Sequence, residues 1–413
     1  MDRTKRKNYI LNIITLVVST IFCLLIVNVI FINISNQKYF PRALANSLSN
    51  ILLTFYPDTY NKENLRVYDA ILGDSYSQGA GDAYLSGMKD FTLAHHLHKN
   101  YNKNYLNFGR GGYGSISAVS NLILINKLSN LPNLIEDLEK PKSIIFIFYE
   151  GNDLEENIFE YNSLKKSKEN ISDFVSRRIE ENTKLRNIDK LTNIFPILAF
   201  IKKIYMHFLW HMENLINKIA EADNLKESLS LINERVKKLF GHTIVLNEPE
   251  TNSVTYINSI KEHNINNIQP LQSAAVVLTQ EEILISLEIF KESIKYIKSW
   301  SQVENIIVLY IPSPISLYIW NEPITYEFKN PTNGATDEVK QTTNEKNTSN
   351  SIFIRNKISS FSKENNFHFL DATHYLIEKG KKIILHGPLD WRHFNYEGYK
   401  NASNYLIENI SNN

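Results

Sequence analysis

The sequence predicts an α/β fold of three layers, with helices on both faces of a parallel sheet. Compact apolar runs alternate with helical patterns, which is the signature of βα units. The clearest run, "SIIFIFYEGND" from Ser143 to Asp153, is apolar at consecutive positions, as a strand buried on both faces requires. With 413 residues and a hydrophobic share of 43%, the chain can build one large core with additions.

The N-terminus comes first. Residues Tyr9 to Ile34 carry no charge and are long enough to cross a hydrocarbon core as a helix. Arg3, Lys5, Arg6 and Lys7 precede them, which predicts a signal anchor with a cytoplasmic N-terminus and the remainder periplasmic or extracellular. A signal peptide cleaved near Ala43 and Ala45 is the rival reading. The membrane is therefore an expected partner. Cys23, the one cysteine, lies in this segment, so no intramolecular disulfide or cysteine metal site can form. Lysine plus arginine total 45 against 44 acidic residues, a balance that gives no sign of a nucleic-acid partner.

Residues 35–64 read as a connector, and 65–413 as the main domain. Its first strand is "VYDAIL", Val67 to Leu72, closed by Gly73. A helix is predicted around Phe91 to Lys99, then the strand "YLNFG", the turn "GRGGYGS", and a helix capped by Ser115 that runs to about Leu128. Strands return at Asn305 to Pro314 and Phe367 to Asp371. The domain is thus split by an insertion, about 154–280, that reads as mostly charged helix. Its apolar piece places Phe195, Leu198, Ile201, Tyr205, Phe208 and Leu209 at helical spacing, suited to packing on the core, lying on a membrane or lining an acyl pocket. The polar stretch at about 330–351 has almost no large apolar residues and is expected to be a mobile loop.

Ser75 follows the first strand in "GDSYSQG", where a strand-to-helix turn would present its hydroxyl at the carboxyl edge of the sheet. Gly-Asp-Ser is also an ordinary helix start, so the tripeptide alone decides nothing. In "LDWRHFNYEGY", Asp390 stands three residues before His393, a spacing that lets a carboxylate bind one imidazole nitrogen and leave the other for Ser75. The glycines of "NFGRGGYGS" would let backbone N–H groups approach a ligand, and Asn152 of "YEGND" could donate its amide to an oxyanion.

These segments, in this order, resemble the four sequence blocks of the SGNH hydrolases, also called GDSL esterases and lipases. The resemblance implies a flavodoxin-like parallel sheet, no cofactor and no metal. It further implies Ser75 as nucleophile, Asp390 and His393 as its partners, and an oxyanion hole from Ser75, Gly112 and Asn152, with Gly109 the other choice for the glycine. Two positions depart from the pattern: Tyr76 stands where the eponymous leucine does, and Glu150 replaces the first glycine of Gly-x-Asn-Asp.

The expected function is a serine esterase acting through an acyl-enzyme on O-acyl esters of a cell-envelope polysaccharide or lipid. An O-acyltransferase using the same residues is the alternative, and a noncatalytic envelope binding or assembly protein the second. Other residues point less clearly to chemistry. His95, His96 and His98 look like a metal cluster but read as a surface helix face. His374 and Asp371 read as loop residues, His386 as lining the site without a role, and Arg110 as a residue that could favour an anionic substrate.

Overall fold

The computed structural model describes residues 19, 58–61, 65–86, 88, 90–129, 138–184, 258–303, 305–329 and 336–410. The chain divides into two compact units, and all of these except Ser19 belong to the one formed by 33–194 and 256–413. The proposed anchor, most of the connector and the apolar piece of the insertion lie outside the described residues. Among the described residues no helix is long and apolar enough to cross a membrane.

Strand β1 (Asp69–Leu72) leads into two short helices, α1 (Ser75–Gln78) and α2 (Asp82–Leu85), and then α3 (Leu93–Tyr101). β2 (Tyr105–Asn107) precedes α4 (Ser115–Ser129), and β3 (Ser143–Tyr149) precedes α5 (Asp153–Leu164) and α6 (Ile171–Asn182). Next come β4 (Asn258–Ile260), β5 (Ile265–Ile268), α7 (Ala274–Val277) and α8 (Gln280–Ser301). β6 (Asn305–Ile311), α9 (Pro314–Leu317), β7 (Ile324–Lys329), β8 (Thr336–Thr342), α10 (Asn344–Glu364), β9 (His368–Asp371), α11 (Thr373–Gly380) and α12 (Tyr396–Ile410) complete the order.

The main sheet runs β2-β1-β3-β6-β9, and every pairing in it is parallel. This is the flavodoxin-like order, whose switch point lies between β1 and β3. Period-two geometry explains the uninterrupted apolar runs: Ile144, Phe146 and Phe148 of β3 enter one buried cluster, while Ile145, Ile147 and Tyr149 enter the other. Helices α4, α5, α6, α8 and α10 contribute to the first cluster, and α3, α11 and α12 to the second. The layers are thus helix, sheet, helix.

Helix α8 shows how sequence sets such an element. Thr279 and Glu282 form a reciprocal capping box, and Ile283, Leu287, Phe290, Ile294 and Ile297 recur along one buried face. Phe290 meets Phe146, Phe148 and Phe361 edge to face, with ring centroids 5.1, 4.9 and 5.7 Å away.

Three expectations need correction. The polar stretch at 330–351 is not simply a loop: Thr336–Thr342 pair antiparallel with β7, and α10 begins at Asn344 with Thr343 as its cap. Large apolar residues were not needed, because Asn347 and Ser351 are buried with partners, Ser316 Oγ at 2.8 Å and Glu150 Oε2 at 2.9 Å. The described ends of the insertion are not only charged helix either. Leu154, Ile158, Phe174 and Ile179 belong to the core, and β4 and β5 form a small antiparallel sheet. Finally, Ser115 is the first residue of α4 rather than its cap, and its N–H donates to Asn157 Oδ1 at 2.7 Å.

Removing the Phe290 ring should leave a cavity at the meeting point of α8, α10 and β3. Phe290→Ala is expected to lower unfolding free energy by about 3–5 kcal/mol, and Leu284→Ala, on the exposed face of the same helix, by no more than about 0.5 kcal/mol. Urea denaturation of both variants measures the difference.

Candidate active site

Because the strands are parallel, the segments following β1, β2 and β3 all emerge at the same edge of the sheet. After β1, Asp74 caps α1, its Oδ1 accepting the Tyr76 N–H at 2.8 Å. Ser75 is consequently the first helical residue, buried at 7% exposure.

The structure brings Ser75, His393 and Asp390 into one chain. Ser75 Oγ lies 2.8 Å from His393 Nε2, and His393 Nδ1 lies 2.6 Å from Asp390 Oδ2. Asp390 accepts the Nδ1 proton, which leaves the Nε2 lone pair facing the serine hydroxyl. Burial works against ionisation of Asp390, but its hydrogen bond to His393, the His393 charge and the Arg392 N–H outweigh it, and the carboxyl lies below its ordinary value. Asp74 Oδ2, 3.1 Å from Ser75 Oγ, offers the hydroxyl a longer second acceptor.

The loop carrying Asp390 and His393 is clamped by the segment that carries Ser75. Asp82 accepts the N–H groups of Leu389 and Asp390 at 3.0 and 2.7 Å. The Arg392 carbonyl accepts hydroxyls from Tyr76 at 2.8 Å and Tyr149 at 3.1 Å, and the two rings stack at 3.8 Å. Burial holds both phenols far above their ordinary pKa, so they remain donors. Gly81 has φ of +118°, and a Cβ there would come within 2.4 Å of the Phe394 carbonyl and 2.9 Å of His393 Cβ, so no side chain fits. Tyr76 thus does what leucine could not: its hydroxyl fixes the residue before His393.

His386 is part of this clamp. Tyr76 gives its proton to Arg392 and so accepts from His386 Nε2 at 3.2 Å; Tyr318 accepts the Leu385 N–H and so donates to His386 Nδ1 at 3.1 Å. The ring is therefore the neutral Nε2–H tautomer, and burial lowers its pKa to about 3.

After β2, the glycine loop uses its N–H groups unequally. Gly109 donates to Asn107 Oδ1, Arg110 to the Gly73 carbonyl, Gly111 to Gln78 Oε1 and Tyr113 to the Arg110 carbonyl. In this loop the N–H of Gly112, like that of Gly114, has no partner among the described residues. Its φ of +74° suits the third position of a type II turn. A Cβ on the adjoining Gly111 would lie 3.8 Å from Ser75 Cβ, which places the loop beside the serine.

After β3, Asn152 occupies the cap position of α5, yet its side chain caps nothing. Its Oδ1 is buried with no hydrogen-bond partner among the described residues. Asp153 Oδ2 accepts the Tyr149 N–H at 2.8 Å, and burial, reinforced by the Asp74 charge, raises its pKa well above the ordinary value. Glu150 is wholly buried and accepts hydroxyls from Tyr310 at 2.5 Å, Ser351 at 2.9 Å, Ser313 at 3.1 Å and Ser316. Burial raises it too. The acid in place of glycine ties the end of β3 to α9 and α10.

Several discounted residues have defined places. Arg110 turns back on its own loop, its Nη1 bonded to the Asn107 and Gly109 carbonyls. His95 is buried rather than on a surface face, bonded to Thr92 Oγ1 at 2.7 Å, while His98 bonds the Lys103 carbonyl at 2.7 Å. Among the described residues no group of three acidic, histidine or cysteine side chains could hold a metal ion. Asp371 pairs with Arg355 at 3.0 Å and His374 lies in α11, so neither is a loop residue. Asp82, Tyr149 and the tyrosine pair around His386 had no sequence signal beyond an acid in "GAGD" and aromatics at strand ends.

The neutral state of His386 sets an acid limit on the fold. An unfolded histidine takes a proton near pH 6.5, the buried one only near 3, so between these values the unfolded state binds more protons and stability falls with pH. The stability difference between wild type and His386→Gln, from urea titrations, should be level above about pH 7 and shrink by up to about 1.4 kcal/mol per pH unit below about pH 6. A difference that ignores pH would contradict the buried neutral ring.

No match was found among curated proteins. A family model described as GDSL-like Lipase/Acylhydrolase matches residues 70–406, from β1 to α12 and across every segment of the site. The chain belongs to this family, the SGNH hydrolases, whose members act on esters as acyl hydrolases or acyltransferases.

Proposed function

We propose that the protein is a serine esterase working through an acyl-enzyme, and that its substrates are O-acyl esters of a cell-envelope polysaccharide or lipid. The observation that carries the mechanism is the hydrogen-bonded chain from Asp390 through His393 to Ser75. His393 Nε2 takes the hydroxyl proton as Ser75 Oγ bonds to the ester carbonyl carbon. The developing oxyanion would be met by the N–H groups of Ser75 and Gly112 and the side-chain amide of Asn152. When the tetrahedral species collapses, the alkoxide leaves with the proton held on His393. Water then gives a proton to His393 and attacks the acyl-enzyme, which releases the acid and restores Ser75.

The envelope assignment rests on the uncharged segment 9–34 and the basic residues before it, which suit a membrane anchor with an external catalytic domain. An acceptor hydroxyl in place of water would give O-acyl transfer with the same residues. Comparing ester turnover with and without an oligosaccharide acceptor separates the two outcomes.

A fluorophosphonate should label the full-length protein, and Ser75→Ala should abolish labelling; equal labelling of both would remove Ser75 as nucleophile. Asn152→Ala should lower kcat by about 10²- to 10³-fold, the range seen when one oxyanion donor is lost, with KM changed much less. Asp390→Asn should lower kcat by about 10⁴-fold or less, because the imidazole can then adopt the wrong tautomer.

A further inference from the structure

We propose that a cavity beside His393 binds the alcohol half of the ester, and that this alcohol is a sugar or similar polyol. The inference rests on the esterase reading above. In that reading the carbonyl carbon bonds to Ser75, and its oxygen faces Gly112 and Asn152. The departing oxygen must receive its proton from His393 Nε2, so the body of the alcohol lies on the imidazole side.

A cavity of about 460 Å³ has His393 in its lining. Asp390, Arg392, Trp391, Asn267 and Gln269 also line it, and Ser75 does not. It therefore suits atoms beyond the scissile oxygen rather than the acyl group. Its volume falls within the usual range for small-ligand sites.

The lining chooses among ligand chemistries. Asn267 and Gln269 are exposed side-chain amides, each with a donor and an acceptor. Trp391 is half-buried and packs over Gly387, offering an apolar ring with a donor at its edge. Arg392 is already paired with Glu327 at 2.5 Å, so its charge is compensated and the cavity is poorly suited to a phosphate or carboxylate. An acyl chain would need a continuous apolar wall, whereas Leu271, Leu389 and two prolines here are interrupted by two amides, the Asp390 carboxylate and an ion pair. Alternating hydroxyls and C–H groups match amides beside an aromatic ring.

The test compares kcat/KM for 4-nitrophenyl acetate, 2-phenylethyl acetate and a panel of singly O-acetylated disaccharides of gluco, galacto, manno and N-acetylhexosamine type. Wild type should prefer at least one disaccharide ester over 2-phenylethyl acetate by about tenfold or more. Gln269→Ala and Asn267→Ala should each reduce that preference, as a ratio to 4-nitrophenyl acetate, by about five- to tenfold, the effect of one lost neutral hydrogen bond. A preference for the apolar alcohol, or a disaccharide preference that neither variant changes, overturns the subsite. No turnover of any ester by folded protein, together with no fluorophosphonate labelling, overturns the esterase reading and the subsite with it.

Discussion

The site depends on a hydrogen bond of 2.8 Å between side chains 318 residues apart in sequence. The loop carrying His393 belongs to no strand of the main sheet, so ladder hydrogen bonds cannot place it. It is placed instead by its contacts with residues 74–82, which present Ser75, the Tyr76 hydroxyl, the bare backbone of Gly81 and the Asp82 carboxylate in one short stretch. Behind the loop, Phe394 is fully buried against Tyr76, His386 and Tyr399 at centroid distances of 5.0, 4.8 and 5.6 Å. The position of His393 relative to Ser75 is thus set by loop-on-loop packing between residues 74–82 and 389–394.

The same region stores buried acidity. Asp74, Asp153 and Glu150 are all wholly buried, and none has an ion-pair partner among the described residues. Desolvation at such positions disfavours charge by several kcal/mol, so hydroxyl and N–H donors must compensate or the group must stay protonated. Glu150 takes the first course with four hydroxyls, while Asp153, pushed up by both burial and Asp74, is driven toward the second. A partly satisfied polar core of this kind is costly but permits few arrangements, which suits a site whose donors must be in place before reaction.

How much of this was legible in the sequence follows from which interactions are local. The strands were readable because burial on both faces removes polar residues from "SIIFIFY" and "NIIVLYI", and Gly-Asp-Ser, Asn152 and Asp-x-x-His, each ambiguous alone, became readable as short spacings that occur together in one order. Gly112 was assigned from the family resemblance, and the N–H groups of Gly111 and Tyr113 on either side of it are occupied. Asp82, Tyr149 and His386 were not legible, since their partners lie hundreds of residues away and the residues themselves are ordinary. The start of α10, inside the stretch expected to be a loop, was missed for a different reason. Composition measures apolar burial, whereas Asn347 and Ser351 are buried through hydrogen bonds to Ser316 and Glu150, which composition cannot register.

The architecture also separates chemistry from selection. Ser75, Gly112, Asn152 and His393, the residues proposed to carry the reaction, stand at the sheet edge or on the loop clamped to it. Asn267 and Gln269 come from the small β4–β5 sheet and the residue after it, outside the parallel core, and Arg392 is steered by Glu327 of β7. Antiparallel additions of this sort can change length and side chains without disturbing the register of β1, β3 and β6. Asn267 and Gln269 share a cavity lining with His393. On the proposed reading, substrate choice can therefore drift while the geometry of the site stays constrained by the contact between residues 74–82 and 389–394.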